Sequence, residues 1–510
     1  MTKARNPVKG WITQNRNIIF PFLAFVVPLV VRAIPEILMG PYIVGFDTLG
    51  FYVPNTLLWL HNGINLWGFL ATAPLFYTIF MSVVAAGGSP VFVLKIISPL
   101  LLGFLGLSIF AYAKRGLGWS PSKSTFVALL GTVYFVALRA SWDQLREELG
   151  LVFFFVVLML LLINRKDSSW KRYVVLSLAM VVVVLSHQLV SVLMFGVIVF
   201  TVAYNLFRKD FIGSINLIVV SLPAALYFVI VYLSGVAQSG FLNYSTNVGS
   251  PLASWTGFAS YQSMLISAGG FFLYCFLPIL PLVLVSLWRL GNLQLRSWLL
   301  LSLILLLLPI ASVSPYRWVL MLTYPLAFYA TEALSRLKTI KWKRFKFTVY
   351  RIAILYLVLS TAILSFGFIF MTSEKPFLYF NPEQCNKYIY QIPSSMLQNT
   401  ISITDCQDTA NVLQWFKDNV NSSALLLTHT VFYGWALLTL NKDQIRNYGF
   451  DDSVKAATTV AQEGHSQIYL IWWVNGQGWY GQPTVSSSFH EVYQSGNIAI
   501  YSYNVTNVVT

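Results

Sequence analysis

The chain alternates long apolar runs with short polar segments. Many of the runs approach the roughly 20 residues that an α-helix needs to cross the hydrocarbon core of a bilayer. A helix satisfies all its backbone hydrogen bonds internally, so apolar runs of this length predict spanning helices. The sequence therefore predicts a polytopic α-helical membrane protein. The twelve candidate runs are 18–38, 69–86, 91–113, 125–138, 149–163, 173–186, 189–206, 215–233, 266–288, 298–313, 318–334 and 348–371.

The composition agrees with this pattern. Hydrophobic residues make up 57% of the 510 residues and charged residues only 10%, whereas soluble domains hold about 25% charged residues. These values exclude a soluble globular protein, a disordered chain, a coiled coil and a small disulfide scaffold. The first run is long and lacks a clear cleavage site, so it predicts a signal anchor.

Basic residues in short loops set the predicted orientation, because such loops face the cytoplasm. The formal net charge is +15, and the clusters listed below hold most of the basic residues. Topology thus explains the positive charge, and we expect no nucleic-acid partner. The six clusters are Lys3/Arg5/Lys9/Arg16, Lys114/Arg115/Lys123, Arg165/Lys166/Lys171/Arg172, Arg208/Lys209, Arg289/Arg296 and the run 336–351.

All six clusters fall on one side only if one early run does not cross the membrane. Run 69–86 is the candidate, because Pro74 interrupts it and Gly87-Gly88-Ser89-Pro90 ends it. We therefore expect a juxtamembrane or re-entrant element there, and about 11 transmembrane helices in all. This topology places the N-terminus in the cytoplasm and the C-terminus outside the cell.

Two domains follow from this division: a transmembrane module, 1–371, and an extracellular soluble tail, 372–510. Apolar spacing predicts a helix over 409–420. Strands are predicted over 424–428, 468–474 and 498–503, with a turn at Gly496-Asn497. The tail is thus expected to be a small α/β domain.

Two further features of the outer side depend on that topology. Cys385 and Cys406 could pair there or stay reduced. The glycosylation tripeptides at Asn243, Asn421 and Asn504 all fall on the predicted outer side.

Acids and bases from separate segments gather at the predicted outer ends of the runs. A charge near hydrocarbon is costly, so it usually faces a cavity and has a partner. Their convergence predicts a site for a charged substrate at the membrane surface; the alternative is a set of independent interfacial side chains. These residues are Arg32, Glu36, Asp47, Lys95, Arg139, Asp143, Arg146, Glu147, Glu148, His187 and Arg317.

Asp47 is the one charged residue of the first outer loop, 40–54. Its carboxylate could act as a base or hold a metal ion. It could equally cap a helix that begins near Thr48.

The second outer loop leads into the segment Trp142-Asp143-Gln144-Leu145-Arg146-Glu147-Glu148. Helical spacing would place Asp143, Arg146 and Glu147 on one face. Acids also suit the positive end of a helix dipole. That reading accounts for Glu147 and Glu148 without a site, and less well for Asp143.

Arg317 opens a late span, directly after Tyr316. Its fork of donors matches phosphate oxygens, although an interfacial Arg beside Trp318 is also an ordinary membrane anchor. Lys95 and Arg32 are further candidates for a phosphate clamp. Supporting roles are predicted for Arg146, Glu147, His187 and Tyr316; for His187, a hydrogen-bonded structural role competes.

These features resemble the GT-C class of integral-membrane glycosyltransferases. That class includes protein mannosyltransferases, lipid A aminoarabinose transferase and the oligosaccharyltransferase catalytic subunit. The resemblance lies in the order of Asp47, the apolar element Ala73-Pro74-Leu75-Phe76-Tyr77 and the second-loop acid Asp143, and it covers roughly residues 18–325. The non-crossing element also resembles the juxtamembrane helices of the class.

The resemblance implies transfer of a sugar from a polyprenyl- or dolichyl-phosphate donor, with inversion, to a lipid, glycan or protein acceptor at the outer face. It makes Asp47 the base or acceptor-orienting carboxylate. Asp143 assists it, or both carboxylates bind a metal, and Arg317 holds the donor phosphate. Some members use a divalent cation such as Mg²⁺ or Mn²⁺ and others do not, so the cofactor stays open.

The chain departs from two signatures of the class. Trp472-Trp473-Val474-Asn475-Gly476 lacks the Asp of the oligosaccharyltransferase motif Trp-Trp-Asp-Tyr-Gly and lies near the C-terminus, so we interpret it as part of a strand. Thr48 follows Asp47, so the Asp-Glu pair of protein mannosyltransferases is missing.

Two other functions compete with glycosyl transfer. A transporter or flippase of a lipid-linked anion predicts an internal repeat and charges at mid-membrane. A scaffold predicts that Asp47 and Asp143 lie apart. The charges at the outer edge favour the glycosyltransferase, and chemistry on lipid carriers there predicts a prokaryotic, for example archaeal, cell membrane.

Overall fold

The computed structural model describes residues 15–164, 169–233, 260–287, 290–307, 315–337, 346–449, 451–475 and 485–504. A helical part runs to Phe370, and a five-stranded sheet lies in the tail that follows. Some predicted features fall outside the described residues, namely Asn243, Lys3, Arg5, Lys9, Arg165, Lys166, Arg289 and positions 338–345 of the last basic run.

Long apolar helices dominate the first part, as the run pattern predicts. Among the described residues, five are long and apolar enough to cross a membrane, or up to seven if each of two bent pairs is one span. The number of about 11 spans and the side on which the tail lies stay predictions. The five are Arg16–Leu38, Pro90–Gly116, Gln188–Phe207, Phe211–Tyr232 and Val349–Phe370, and the bent pairs are Pro121–Val133 with Phe135–Asp143 and Tyr261–Phe276 with Leu280–Ser286.

Shorter helices complete the helical part. The predicted run 125–138 is broken at Tyr134, where the chain is extended and the two helices meet at 58°. The remaining helices are Val53–Asn62, Leu66–Ala71, Leu75–Ala85, Leu145–Asn164, Trp170–Ser186, Leu293–Leu307, Pro315–Met321 and Thr323–Leu337.

Run 69–86 is not one spanning helix. It is divided between Leu66–Ala71 and Leu75–Ala85, with Ala73 in the left-handed region between them at φ 56°. The second helix has 11 residues, which gives a length of about 17 Å, roughly half of the hydrocarbon thickness. The expected juxtamembrane or re-entrant element therefore corresponds to two short helices.

Three consecutive carbonyls fasten the end of helix Leu66–Ala71 to the bundle. The Leu70 carbonyl accepts from the Tyr227 hydroxyl at 3.0 Å, and the next carbonyl, of Ala71, accepts from Gln188 Nε2 at 2.8 Å. The Thr72 carbonyl accepts from Arg146 Nη1. The carbonyls at a helix end have no hydrogen-bond donor within the helix. Three side chains from three other helices therefore supply one donor to each carbonyl.

Helices Arg16–Leu38 and Pro90–Ala111 cross at a glycine. A Cβ on Gly106 would lie 2.1 Å from the carbonyl oxygen of Ala24, so only glycine permits this approach. The crossing brings Lys95 to the end of the first helix. Its ammonium donates to the carbonyls of Glu36, Gly40 and Tyr42 at 2.6–2.7 Å.

The tail contains a mixed sheet in the order β2-β1-β3-β5-β4. Strand β1 is parallel to both β2 and β3, whereas β5 is antiparallel to β3 and β4. The helices of the tail are Ile403–Asn419, Thr430–Thr439 and Ser453–Gln462, and the strands are β1 Leu425–His429, β2 Ile445–Gly449, β3 Ile468–Trp473, β4 Phe489–Ser495 and β5 Ile498–Tyr503.

The sequence predicted three of these strands and one helix of the tail. The predicted strands correspond to β1, β3 and β5 within one residue at each end, and Trp472 and Trp473 lie in β3 as interpreted. The predicted helix is present but begins at Ile403. Cys385 is exposed and Cys406 is buried, and the two are not bonded to each other.

The first loop lies between the helical part and the tail. The Tyr42 hydroxyl donates to Gln407 Oε1 at 2.7 Å, and Asn399 Nδ2 donates to the Ile43 carbonyl at 3.1 Å. The tail therefore holds the part of the first loop that leads to Asp47.

Candidate active site

A close backbone approach brings the two predicted carboxylate segments together. Gly45 has φ 102°, and a Cβ on it would lie 2.0 Å from the carbonyl oxygen of Trp142. Only glycine fits this conformation and this distance. Asp47 comes two residues after Gly45, and Asp143 directly follows Trp142. The backbone approach therefore brings the two acids near each other, and their charges interact.

Asp47 sits half-buried among charged groups. Burial raises the pKa of its carboxyl group, and the negative charge of Asp143 raises it further. The guanidinium groups of Arg317, Arg146 and Arg139 act in the opposite direction, and the net pKa is raised above the ordinary aspartate value. The side chain makes no capping hydrogen bond to the helical turn Thr48–Tyr52, which disfavours the capping alternative.

Asp143 is held by Arg139, which the sequence placed among the outer charges without assigning it a role. Arg139 Nη1 lies 2.6 Å from Asp143 Oδ1 in a buried ion pair, and Arg139 Nε donates to the Gln391 carbonyl of the tail. The spacing of four residues on a helix was the available signal. Arg139 therefore orients Asp143 and links it to the tail.

The predicted single helical face of Asp143, Arg146 and Glu147 is wrong. Helix Phe135–Asp143 ends at Asp143, Gln144 has non-helical angles of φ −95° and ψ 51°, and a new helix starts at Leu145. The three side chains nevertheless lie in the same region, because one helix ends and the next begins there.

Arg146 occupies an aromatic cage at the start of helix Leu145–Asn164. Its guanidinium lies 5.9 Å from the centre of the Tyr52 ring and 5.6 Å from that of Tyr77, which is within the range of cation–π attraction. With Thr72 as its carbonyl partner, Arg146 connects the first loop, the short helices and Asp47.

Glu147 lies between the Arg317 guanidinium and the His187 imidazole. Its Oε2 lies 3.7 Å from Arg317 Nη1 and 4.0 Å from His187 Nδ1. The Glu147 side chain is 1% exposed, whereas that of Arg317 is 39% exposed. Arg317 is thus positioned by a buried acid while part of its fork stays open to a ligand.

His187 lies where the sequence placed it, directly after helix Trp170–Ser186 and in an extended conformation. It is 5% exposed and belongs to the same cluster as Glu147. Tyr316, beside Arg317, shares a 2.8 Å hydrogen bond with the Ser267 hydroxyl. Its ring packs on Phe271 with centres 5.0 Å apart, so it supports the wall of the site.

Lys95 and Arg32 have other partners than a ligand. The three backbone carbonyls already described take the donors of Lys95. Arg32 is fully buried, lies 2.8 Å from Glu36 and donates through Nε to the Ser141 carbonyl at 3.0 Å. Lys95 thus holds the backbone where the first helix passes into the first loop, and Arg32 holds the Ser141 carbonyl near Asp143. Arg317 is the better candidate for a phosphate.

The described residues do not fit a resident divalent cation. They contain no group of three or more His, Cys, Asp or Glu side chains placed to share a metal ion, whereas Mg²⁺ requires a shell of about six oxygen ligands. Oδ1 of Asp143 is taken by Arg139, and three guanidinium groups surround Asp47. The two candidate metal ligands thus lie in an arginine-rich cluster.

The overall fold is similar to that of a solved oligosaccharyltransferase structure, which confirms the predicted GT-C resemblance at the level of fold alone. The chain is similar to the crystal structure of the Archaeoglobus fulgidus oligosaccharyltransferase tethered with an acceptor peptide containing the NVT sequon. The TM-score is 0.50 at 11% identity, and the match covers 92% of this chain and 70% of that one.

A second solved structure is similar over almost the whole length. It is that of ArnT from Cupriavidus metallidurans bound to undecaprenyl phosphate, with a TM-score of 0.49, 14% identity, and coverage of 97% of this chain and 98% of that one. No family model and no curated protein sequence matches the chain.

Proposed function

We propose that the protein transfers a sugar from a polyprenyl- or dolichyl-phosphate donor to an acceptor, with inversion at the anomeric carbon. One observation carries the proposal: two interacting carboxylates, Asp47 and Asp143, lie amid three arginines contributed by separate segments. A base beside a cluster of cations suits a reaction that removes a proton at one point and releases a phosphate at another.

Asp47 is the proposed base. It takes the proton of the acceptor group or orients it while the acceptor attacks the anomeric carbon. The new glycosidic bond forms as the bond to the phosphate oxygen breaks, and the electron pair leaves with the polyprenyl phosphate. Burial and the nearby Asp143 make Asp47 a stronger base than an ordinary aspartate, because both raise its pKa.

Arg317 is the proposed phosphate ligand. Its side chain is 39% exposed, and Glu147 holds it from the buried side. Negative charge grows on the lipid phosphate as it departs, so a fixed arginine stabilises the transition state more than the ground state. Arg146 and Arg139 balance the two carboxylates.

The acceptor, the sugar and the lipid are proposed only as classes. The acceptor is a glycan, a lipid or a protein, and the reaction takes place at the outer face of a prokaryotic cell membrane. The GT-C fold supports a membrane-bound lipid donor, and the tail beside the first loop supports an acceptor side at the same end of the bundle.

The experiment measures release of polyprenyl phosphate from purified full-length protein supplied with mannosyl, glucosyl and aminopentosyl polyprenyl phosphates. A crude membrane extract serves as the acceptor source. We expect Asp47→Asn to lower kcat by about 100-fold or more, since a general base contributes about that much. The matched control is Asp418→Asn, an exposed aspartate on helix Ile403–Asn419.

Binding of the free lipid tests the phosphate ligand separately. Arg317→Ala should weaken binding of undecaprenyl and dolichyl phosphate at least 10-fold, and Arg336→Ala should not. Near-normal turnover by Asp47→Asn would refute the proposed base, and failure of the wild-type protein to bind either lipid would refute the donor class.

A further inference from the structure

A single backbone carbonyl of the tail joins the first loop, which carries Asp47, to the end of helix Phe135–Asp143, which carries the second carboxylate. The Gln398 oxygen accepts from the Gly45 amide at 3.0 Å and from the Trp142 indole Nε1 at 3.1 Å. The same indole also donates to the Met396 carbonyl at 3.2 Å. We call the segment 396–399 the loop bridge.

The loop bridge fixes the spacing of the site. One of its donors lies two residues before Asp47, and the other belongs to the residue directly before Asp143. A shift of the Gln398 carbonyl would therefore move both acids. A second bond, from Asn399 Nδ2 to the Ile43 carbonyl at 3.1 Å, holds the first loop in the same direction.

The loop bridge is itself anchored on both sides. The Met396 amide donates to the Phe368 carbonyl of the last long helix at 2.9 Å, and the Thr400 hydroxyl donates to the Val431 carbonyl of the tail at 2.7 Å. Asn399 Oδ1 accepts from the Ile401 amide at 3.0 Å, which orients its Nδ2 toward the loop.

Burial makes these bonds strong and selective. Trp142 is 3% exposed, and Gln398 and Asn399 are completely buried. Hydrogen bonds are electrostatically stronger when water is excluded, and an unmade one leaves a costly unpaired group. The junction therefore has one well-defined geometry.

We propose that the loop bridge is a positioning element that holds Asp47 and Asp143 at their working separation, with Trp142 and Asn399 as positioning residues. The inference rests on the proposed function, because it assigns the tail a part in the chemistry of that site. The tail then supports catalysis through the positions of the two carboxylates.

Trp142→Phe is the primary test, because it removes the indole donor and keeps an aromatic ring under Arg139, whose guanidinium lies 5.1 Å from the Trp142 ring. Asn399→Ala is the second variant. The matched control is Trp473→Phe, which removes another buried indole bond, to Asp405 at 2.8 Å, within the tail. A merely structural role predicts equal effects for both tryptophans.

We expect kcat for release of polyprenyl phosphate to fall at least 10-fold in Trp142→Phe and in Asn399→Ala. KM for the donor and the Kd of undecaprenyl phosphate should stay within twofold, since a displacement of about 1 Å costs turnover rather than lipid binding. Hydrogen exchange in the full chain should quicken at residues 43–47 in both variants and not in Trp473→Phe.

The possible failures are distinct. If the wild-type protein turns over the donor and both variants stay within twofold of Trp473→Phe in kcat, the loop bridge has no positioning role. If the wild-type protein neither binds undecaprenyl phosphate nor releases it from any donor, the proposed function fails and the positioning claim falls with it.

Discussion

Arg139 and Asp143 form a buried ion pair, 2.6 Å between Nη1 and Oδ1, across the last turn of helix Phe135–Asp143. Each side chain is less than a tenth exposed, so the pair is shielded from water. The pair places a fixed negative charge beside Asp47, and the arginine adds a tether to the tail through Gln391. Its loss should therefore affect both stability and turnover.

The first prediction concerns Arg139→Met, which leaves Asp143 buried without its cation. Breaking a buried pair in this way costs about 3–5 kcal/mol, and we expect a clear fall in the midpoint of thermal unfolding and loss of turnover. The control is Arg336→Met, since its partner Glu332 is less buried and also pairs with Lys123. That change should cost about 0–1 kcal/mol. Equal shifts in the two variants would contradict this reading.

The second prediction is a raised acid limb in the pH dependence of kcat/KM. The base must be ionised to act, so the rate falls as the pH drops through its pKa. Burial and Asp143 raise the pKa of Asp47. As the pH is lowered, kcat/KM should therefore begin to fall well above the ordinary aspartate pKa of about 3.9.

Two variants fix the sign of this dependence. Asp143→Asn removes a negative neighbour and should move the acid limb to lower pH. Arg317→Ala removes a cation that lowers the pKa of Asp47 and should move the limb to higher pH. A limb that stays in place in both variants would assign it to another group.

The third prediction separates two glycines with left-handed backbones. Gly45→Ala should abolish turnover and reduce the yield of folded protein, because the new Cβ meets the Trp142 carbonyl at 2.0 Å. Gly40→Ala is the control, since its φ is 61° and no atom lies within 4 Å of the added Cβ. The conformational strain common to both is about 1–2 kcal/mol, so the difference between them measures the clash. Similar yields and activities would refute the close approach.

The sequence predicted those members of the candidate site that residue type and order mark. Asp47, Asp143, Arg317, Glu147 and His187 stand out because a charge at the end of an apolar run needs a reason, and the structure brings these five together. Lys95 and Arg32 stand out for the same reason, yet their partners are backbone carbonyls and Glu36. Charge alone does not distinguish a structural cation from one that binds a ligand.

What the sequence could not predict depends on backbone groups and on edge strands. The Gln398 carbonyl has no signature, because every residue carries the same group. Strands β2 and β4 lie at the edges of the sheet and expose much of their length, so neither shows the apolar run that made β1 and β3 recognisable. The break at Gln144 has no Pro or Gly to announce it.

The fourth prediction concerns the stability of the tail in acid. His429 ends β1 and is completely buried, and burial lowers its pKa to about 4. Below the ordinary histidine pKa of about 6.5, His429 is protonated in the unfolded chain but stays neutral in the folded tail. Stability should therefore be full above that pH and fall by about 3 kcal/mol toward pH 4.

His429→Asn tests this dependence while keeping a side-chain acceptor for the Val431 amide, to which His429 Nδ1 is bonded at 3.3 Å. Pulse proteolysis of the full chain at a series of pH values gives the stability of the tail. The slope between pH 6.5 and 4 should flatten in His429→Asn and persist in His490→Asn, an exposed control. An unchanged slope in His429→Asn would assign the acid sensitivity elsewhere.

The three carbonyls of Leu70, Ala71 and Thr72 bear on how this chain can be dissected or recombined. Each satisfies a donor from a different long helix, and one of those donors is the arginine beside Asp47. Removing the two short helices would leave three polar side chains without their hydrogen-bond acceptors. Any chimera must therefore carry residues 66–85 together with the helices that contain Arg146, Gln188 and Tyr227, as one inherited unit.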